Sequence, residues 1–177
     1  MSEIDRIAQQ IQKIGFQCQR CGDCCRGGDV WVMIYPTEIR AIMELTSSSW
    51  ECVAEPYPEQ VPLPSGQVCT FEWALKKKGD RCIFLETNCC QIYLSRPWIC
   101  RTYPFLLFEE RLFHENCPGL GKEIGKAEAF ALSRNLINRR ETERKEEARV
   151  REHGKHLERV KGRRILIDGE GVKILCE

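Results

Sequence analysis

The sequence predicts a small, irregular α+β domain centred on metal, with short hairpins, an N-terminal amphipathic helix and a long charged C-terminal helix. Three observations point there. Twelve of the 177 residues are cysteine, most of them in dense patches. Helix-period apolar stripes occupy both ends of the chain, and strand-like runs fill the middle. No long repeat or low-complexity linker divides the chain, so residues 1–177 read as one domain. Within it, 16–120 form a cysteine-cluster core and 121–177 a helical and hairpin extension.

Taken in order, Ser2 is a candidate N-cap with Asp5 three residues on, and Ile4, Ile7, Ala8, Ile11 and Ile14 line one helical face. Gly15 suits the position that ends such a helix. A cysteine loop follows, closed by Gly27-Gly28. Val30 to Tyr35 is an unbroken β-prone run, a buried strand. Pro36-Thr37 opens a helix to about Leu45 with Ile39, Ile42 and Met43 inward. Residues 46 to 68 contain four prolines and read as a long surface loop pinned by Trp50, Tyr57 and Trp73. Phe105–Phe108 and Arg111–His114 read as a hairpin around Glu109-Glu110. A helix then runs from about Lys122 to about Arg159. Arg164–Ile167 and Val172–Leu175 make a terminal hairpin about a glycine-rich turn.

The chain opens Met1-Ser2-Glu3-Ile4-Asp5-Arg6, with early acidic residues and no apolar h-region, so no signal peptide is expected. No apolar stretch is long enough to span a bilayer. The expectation is a cytoplasmic protein with no membrane role. In that compartment thiols stay reduced, and dense cysteines point to metal rather than disulfides.

Cys18-Gln19-Arg20-Cys21-Gly22-Asp23-Cys24-Cys25 holds four sulfurs in eight residues. Cys18, Cys21 and Cys24 have the spacing of three ligands to a [4Fe–4S] cluster whose fourth ligand is remote. Cys117, followed by Pro118, suits that role. Neighbouring side chains rarely reach one metal comfortably, which assigns Cys25 to a second site with Cys82, Cys90 and Cys100. Structural zinc normally uses paired Cys-x₂₋₄-Cys knuckles, so the triple spacing favours one or two [4Fe–4S] clusters, with Zn²⁺ as the alternative.

A second block follows: Cys82-Ile83-Phe84-Leu85, then Cys90-Gln91-Ile92-Tyr93-x-x-Arg96-Pro97-x-x-Cys100-Arg101-x-x-Pro104-Phe105, and finally Cys117-Pro118-Gly119. With the first motif it resembles the YkgJ-like CxxCxxCC cysteine-cluster family of zinc- or iron-chelating domains, over about residues 16 to 120. The resemblance implies metal ligands at Cys18, Cys21, Cys24, Cys25, Cys82, Cys90, Cys100 and Cys117. It leaves Cys52, Cys69, Cys89 and Cys176 outside the pattern and supplies no agreed reaction. Arg96 and Arg101 belong to the motif and are expected to face the sulfurs, because a thiolate-bound centre buries negative charge that guanidinium can balance.

No phosphate loop, nucleophile elbow or H-E-x-x-H is present, so the chain is not expected to be an enzyme on its own. Residues 134 to 164 hold twelve Lys or Arg against six Glu. Glutamates interleave with the arginines and no aromatic side chain is available for stacking, which weakens a nucleic-acid reading. The stretch 138–160 reads instead as a solvated or projecting helix on which a protein partner docks. Glu141–Lys145 and Glu147–Arg151 have the stabilising i,i+4 spacing. Electron transfer, or an accessory role in a redox assembly, is the leading functional expectation. A zinc-stabilised interaction module, with or without RNA association, is the alternative.

Overall fold

In the computed structural model, the N-terminal helix α1 (Glu3–Ile14) starts where Ser2 and Asp5 form a reciprocal capping box. It stops at Gly15, whose φ of 74° few side chains tolerate. The residues described are 2–27, 31–159 and 164–175. Gly28, Val30 and Cys176 therefore lie outside them. Ile7, Ala8 and Ile11 of α1 are buried against the long helix α5 (Lys126–His153) and the hairpin β10–β11 (Phe105–Phe108, Arg111–His114). Phe105, Ala129 and Leu136 close that core. Glu109 and Glu110 both take positive φ at the hairpin turn, the backbone twist a two-residue connection requires.

A second core lies under the middle of the chain. Strand β1 (Met33–Ile34) leads into α2 (Pro36–Thr46), which buries Ile39 and Ile42. The stretch expected to be a loop is more ordered than its prolines suggest. It contains a helical turn α3 (Trp50–Val53) and strands β2 (Ala54–Pro56) and β3 (Val61–Pro62). Val53 is fully buried, and Trp50 meets Trp73 edge-on at 5.2 Å. Tertiary pairing overrides weak local propensity there: β5 (Trp73–Leu75) sits between β1 and β2, and β3 pairs β4 (Val68–Phe71).

The final hairpin, β12 (Arg164–Asp168) and β13 (Gly171–Ile174), does not stand apart. β12 runs parallel to β4, giving the order β13-β12-β4-β3. Leu166 enters the same core as Ile34 and Ile92, while Ile165 and Ile167 pack with Cys69. The fold is thus α+β.

Helix α5 does not project. Along its length it lies on α1, on the short helix α4 (Trp98–Thr102) and on β12, burying Ser133, Leu136 and Glu146. Arg140 forks onto Glu3 of α1 at 2.6 and 2.9 Å. The anticipated Glu147–Arg151 pair is present at 2.6 Å, whereas Glu141 pairs with Arg144 rather than Lys145. No described helix is long and apolar enough to cross a membrane.

Candidate metal centre

Two glycines bring the first and last motif cysteines together. The chain entering Cys18 runs antiparallel to the chain leaving Cys117, with Phe16 bridged to Leu120 and Gln17 N–H donating to the Gly119 carbonyl at 2.9 Å. A Cβ on Gly119 would sit 2.3 Å from the Gln17 carbonyl oxygen, and one on Gly15 would sit 2.5 Å from that of Lys122. Only a bare Cα fits at either point. The loop then turns through left-handed Gly22 into a 3₁₀ turn, Asp23–Cys25, which places Cys24 and Cys25 sulfurs 3.8 Å apart.

Arg26 fastens this loop to the second cysteine block. Its Nη1 donates to the Cys21 carbonyl at 2.9 Å and its Nη2 to Asn88 Oδ1, while its backbone is bridged to Arg81. Cys82 ends β7 (Arg81–Cys82), paired with β6 (Lys77–Lys78); Cys89 and Cys90 form β9, paired with β8 (Leu85–Glu86). Thr87 and Asn88 supply the positive φ values of the β8–β9 turn. Cys100 comes from α4, whose start is fixed by the half-buried Glu38 carboxylate accepting from Trp98 N–H at 2.7 Å and Tyr35 N–H at 3.1 Å.

One cavity of about 180 Å³ results, and nine cysteines line it: all eight motif residues and Cys89. Tyr93, Arg96 and Arg101 share its wall. The two expected sets, one containing Cys24 and the other Cys25, line the same cavity. Cys24 feels the charge of Cys25 and is itself felt by Cys82, Cys90, Cys100 and Cys117. It stands between the groups. The 3₁₀ turn brings the Cys24 and Cys25 sulfurs within 3.8 Å of each other despite their adjacency in the chain.

The electrostatics disfavour thiolate at several of these sulfurs. Contact with Cys25, then burial, pushes the Cys24 thiol far above its ordinary range. Burial above all, with neighbouring sulfur charge as a lesser cause, also raises Cys82, Cys90, Cys100 and Cys117. Arg96 pulls Cys24, Cys90 and Cys100 back down. It stacks over Tyr93 at 3.7 Å and donates to the Tyr93 carbonyl at 2.9 Å, which fixes its position. Arg101 lines the cavity but directs its Nε to the Arg96 carbonyl and lies 5.2 Å over Trp98. Its bonding is to the wall rather than to sulfur.

The donor set fits a thiophilic cation or cluster. These are free thiols, all on one cavity, each raised one destabilised as a thiolate by another sulfur; a cation between them reverses that penalty. Among the described residues no three His, Cys, Asp or Glu side chains are gathered closely enough to hold a metal ion as they stand. Sulfur lines the walls rather than meeting at one point. Cys52 is exposed on α3 and Cys69 is buried in a separate core cluster. Cys89 is the cavity residue sequence reasoning missed. Its signal was its position beside Cys90 at the end of a turn.

The sequence model of the CxxCxxCC family, described as a "Putative zinc- or iron-chelating domain", matches residues 17–119. No solved structure matches the chain.

Proposed function

Because the chain belongs to the CxxCxxCC family of zinc- or iron-chelating domains, its metal-binding character is the premise, and we propose that the metal is iron held as one or two [4Fe–4S] clusters. The observation carrying this reading is the cavity: nine sulfurs around about 180 Å³. A buried water occupies roughly 10–15 Å³ on that measure, so the space far exceeds one ion with its ligands closed upon it. Cys18, Cys21, Cys24 and Cys117 would hold a cluster at one end, and Cys25, Cys82, Cys90 and Cys100 would hold metal at the other. When bound, a cluster supplies one-electron chemistry.

The chain's own residues do the rest. Arg96 balances sulfur charge, Tyr93 and Phe16 cover the wall and limit water, and Arg26 and Glu38 fix the loops that carry the ligands. The role is cytoplasmic electron transfer or service to a redox assembly, with a protein partner docking on the exposed charged face of α5. One observation favours zinc as the second reading. The 3.8 Å between Cys24 and Cys25 is about the edge of a tetrahedral zinc–thiolate site with Zn–S near 2.3 Å.

Anaerobic preparation of the full chain, with iron, zinc and acid-labile sulfide measured, tests the proposal. Iron with matching sulfide and absorbance near about 400 nm is expected. A colourless protein with stoichiometric zinc that takes up no iron rejects the cluster in favour of the zinc reading.

A further inference from the structure

Cys89 is the ninth sulfur on a cavity whose family pattern uses eight. It is exposed, and it pairs across the β8–β9 hairpin with exposed Glu86, while Cys90 pairs with buried Leu85. Alternation along a strand sends adjacent side chains to opposite faces. Cys90 therefore points into the protein and Cys89 toward the rim. The hairpin carrying both is held at the mouth by the Arg26–Asn88 bond, one residue before Cys89. A sulfur so placed is poorly positioned to share an ion with Cys90 as a permanent ligand. It is well positioned to meet one arriving from solution.

We infer that Cys89 is the entry ligand of the metal centre: it takes a thiophilic cation from a small-molecule or protein thiol carrier and passes it to the cavity sulfurs beginning with Cys90. This rests on the metal-binding reading above. The step is ligand exchange without oxidation. The Cys89 thiol releases its proton to solvent as its sulfur bonds the ion and a carrier thiolate leaves. A cavity thiol then bonds the ion, and the proton it gives up returns to the departing Cys89 sulfur. Associative exchange of this kind needs an incoming sulfur that a carrier can reach. Cys82 and Cys90 are less exposed than Cys89, so on this side of the cavity a carrier meets Cys89 first.

The test uses the full reduced chain and Cd²⁺ as probe, followed by its thiolate charge-transfer absorbance. Cys89→Ser is compared with wild type and with Cys52→Ser, an exposed cysteine away from the cavity. Equilibrium stoichiometry should be unchanged in all three proteins. Transfer from Cd²⁺–glutathione into Cys89→Ser, and loss to a chelator, should both slow by about tenfold. Cys52→Ser should match wild type. Unchanged rates in Cys89→Ser overturn the relay, and loss of bound Cd²⁺ at equilibrium overturns it by making Cys89 a resident ligand. Failure of wild type to bind Cd²⁺ overturns the metal reading itself and the relay with it.

Discussion

The Cys24 and Cys25 sulfurs stand 3.8 Å apart, at the junction of two cysteine groups that are far apart in sequence. Cys24 adds to the unfavourable charge on Cys82, Cys90, Cys100 and Cys117 alike. Replacing it should affect the whole cavity. Cys24→Ser is expected to reduce bound metal to roughly half or below, because one group loses a ligand and the shared cavity is disturbed. Elemental analysis per chain checks this. Retention of full metal content in Cys24→Ser would place the residue outside the ligand set.

Arg26 connects the first cysteine loop with the β8–β9 turn through its two guanidinium nitrogens. Arg26→Ala leaves every sulfur in place but frees the two blocks from each other. Outer-shell supports of this kind commonly change metal affinity by about 10–100-fold, and a loss in that range is expected in competition titration. Arg81→Ala, which keeps the backbone bridge between the two positions, should lose much less.

Arg96 is the cation that favours thiolate at Cys24, Cys90 and Cys100. Removing it in Arg96→Ala should weaken metal binding by about tenfold or more. If the bound group is an iron cluster, its reduction potential should move negative, since adding an electron becomes harder without a nearby positive charge. Arg96→Lys keeps the charge but loses the planar stack on Tyr93. Its potential should lie between those of wild type and Arg96→Ala. Voltammetry of the three proteins distinguishes these outcomes.

Glu72 is 5 % exposed, and its Oε2 has no hydrogen-bond partner. It faces Glu146 of α5, Asp168 of β12 and Lys173 of β13. Burial first, then the charges of Glu146 and Asp168, push its carboxyl from 4.5 up to about 8. The native state thus keeps a proton that the unfolded chain releases. Stability should fall as pH rises from about 4.5 to about 8, by on the order of 5 kcal/mol at most, and then level off. Glu72→Gln should flatten that slope and be the more stable protein at pH near 8. Urea titrations across the window measure it; an unchanged slope would mean the carboxyl is not protonated when folded.

The ends of the chain were readable because local signals and tertiary packing agree there. Ser2, Asp5 and Gly15 bound α1 where their types suggest, and Glu109-Glu110 sits at the turn its flanking apolar runs imply. Between 46 and 68 the prolines suppressed any strand signal, and β2 and β3 exist through pairing with β5 and β4, which no local pattern announces. The packing of α5 against the rest of the fold was hidden for a related reason. A charged surface residue such as Arg140 looks solvated in sequence, and only the position of Glu3 on α1 shows it to be an internal ion pair. At the metal centre the motif named eight sulfurs. Their division was not legible, because it depends on a 3₁₀ turn at Asp23–Cys25 and on two close backbone contacts at Gly15 and Gly119.

The parallel register of β4 with β12 sets an order of events during synthesis. A nascent chain that has emerged only as far as residue 120 carries every motif cysteine, yet β4 then has an open edge where Ile165 and Ile167 belong, and Leu166 is missing beside Ile92 under the cavity wall. The vessel is finished by residues that leave the ribosome after all the motif cysteines. Cargo delivered before then would meet loose thiols on an unfinished wall.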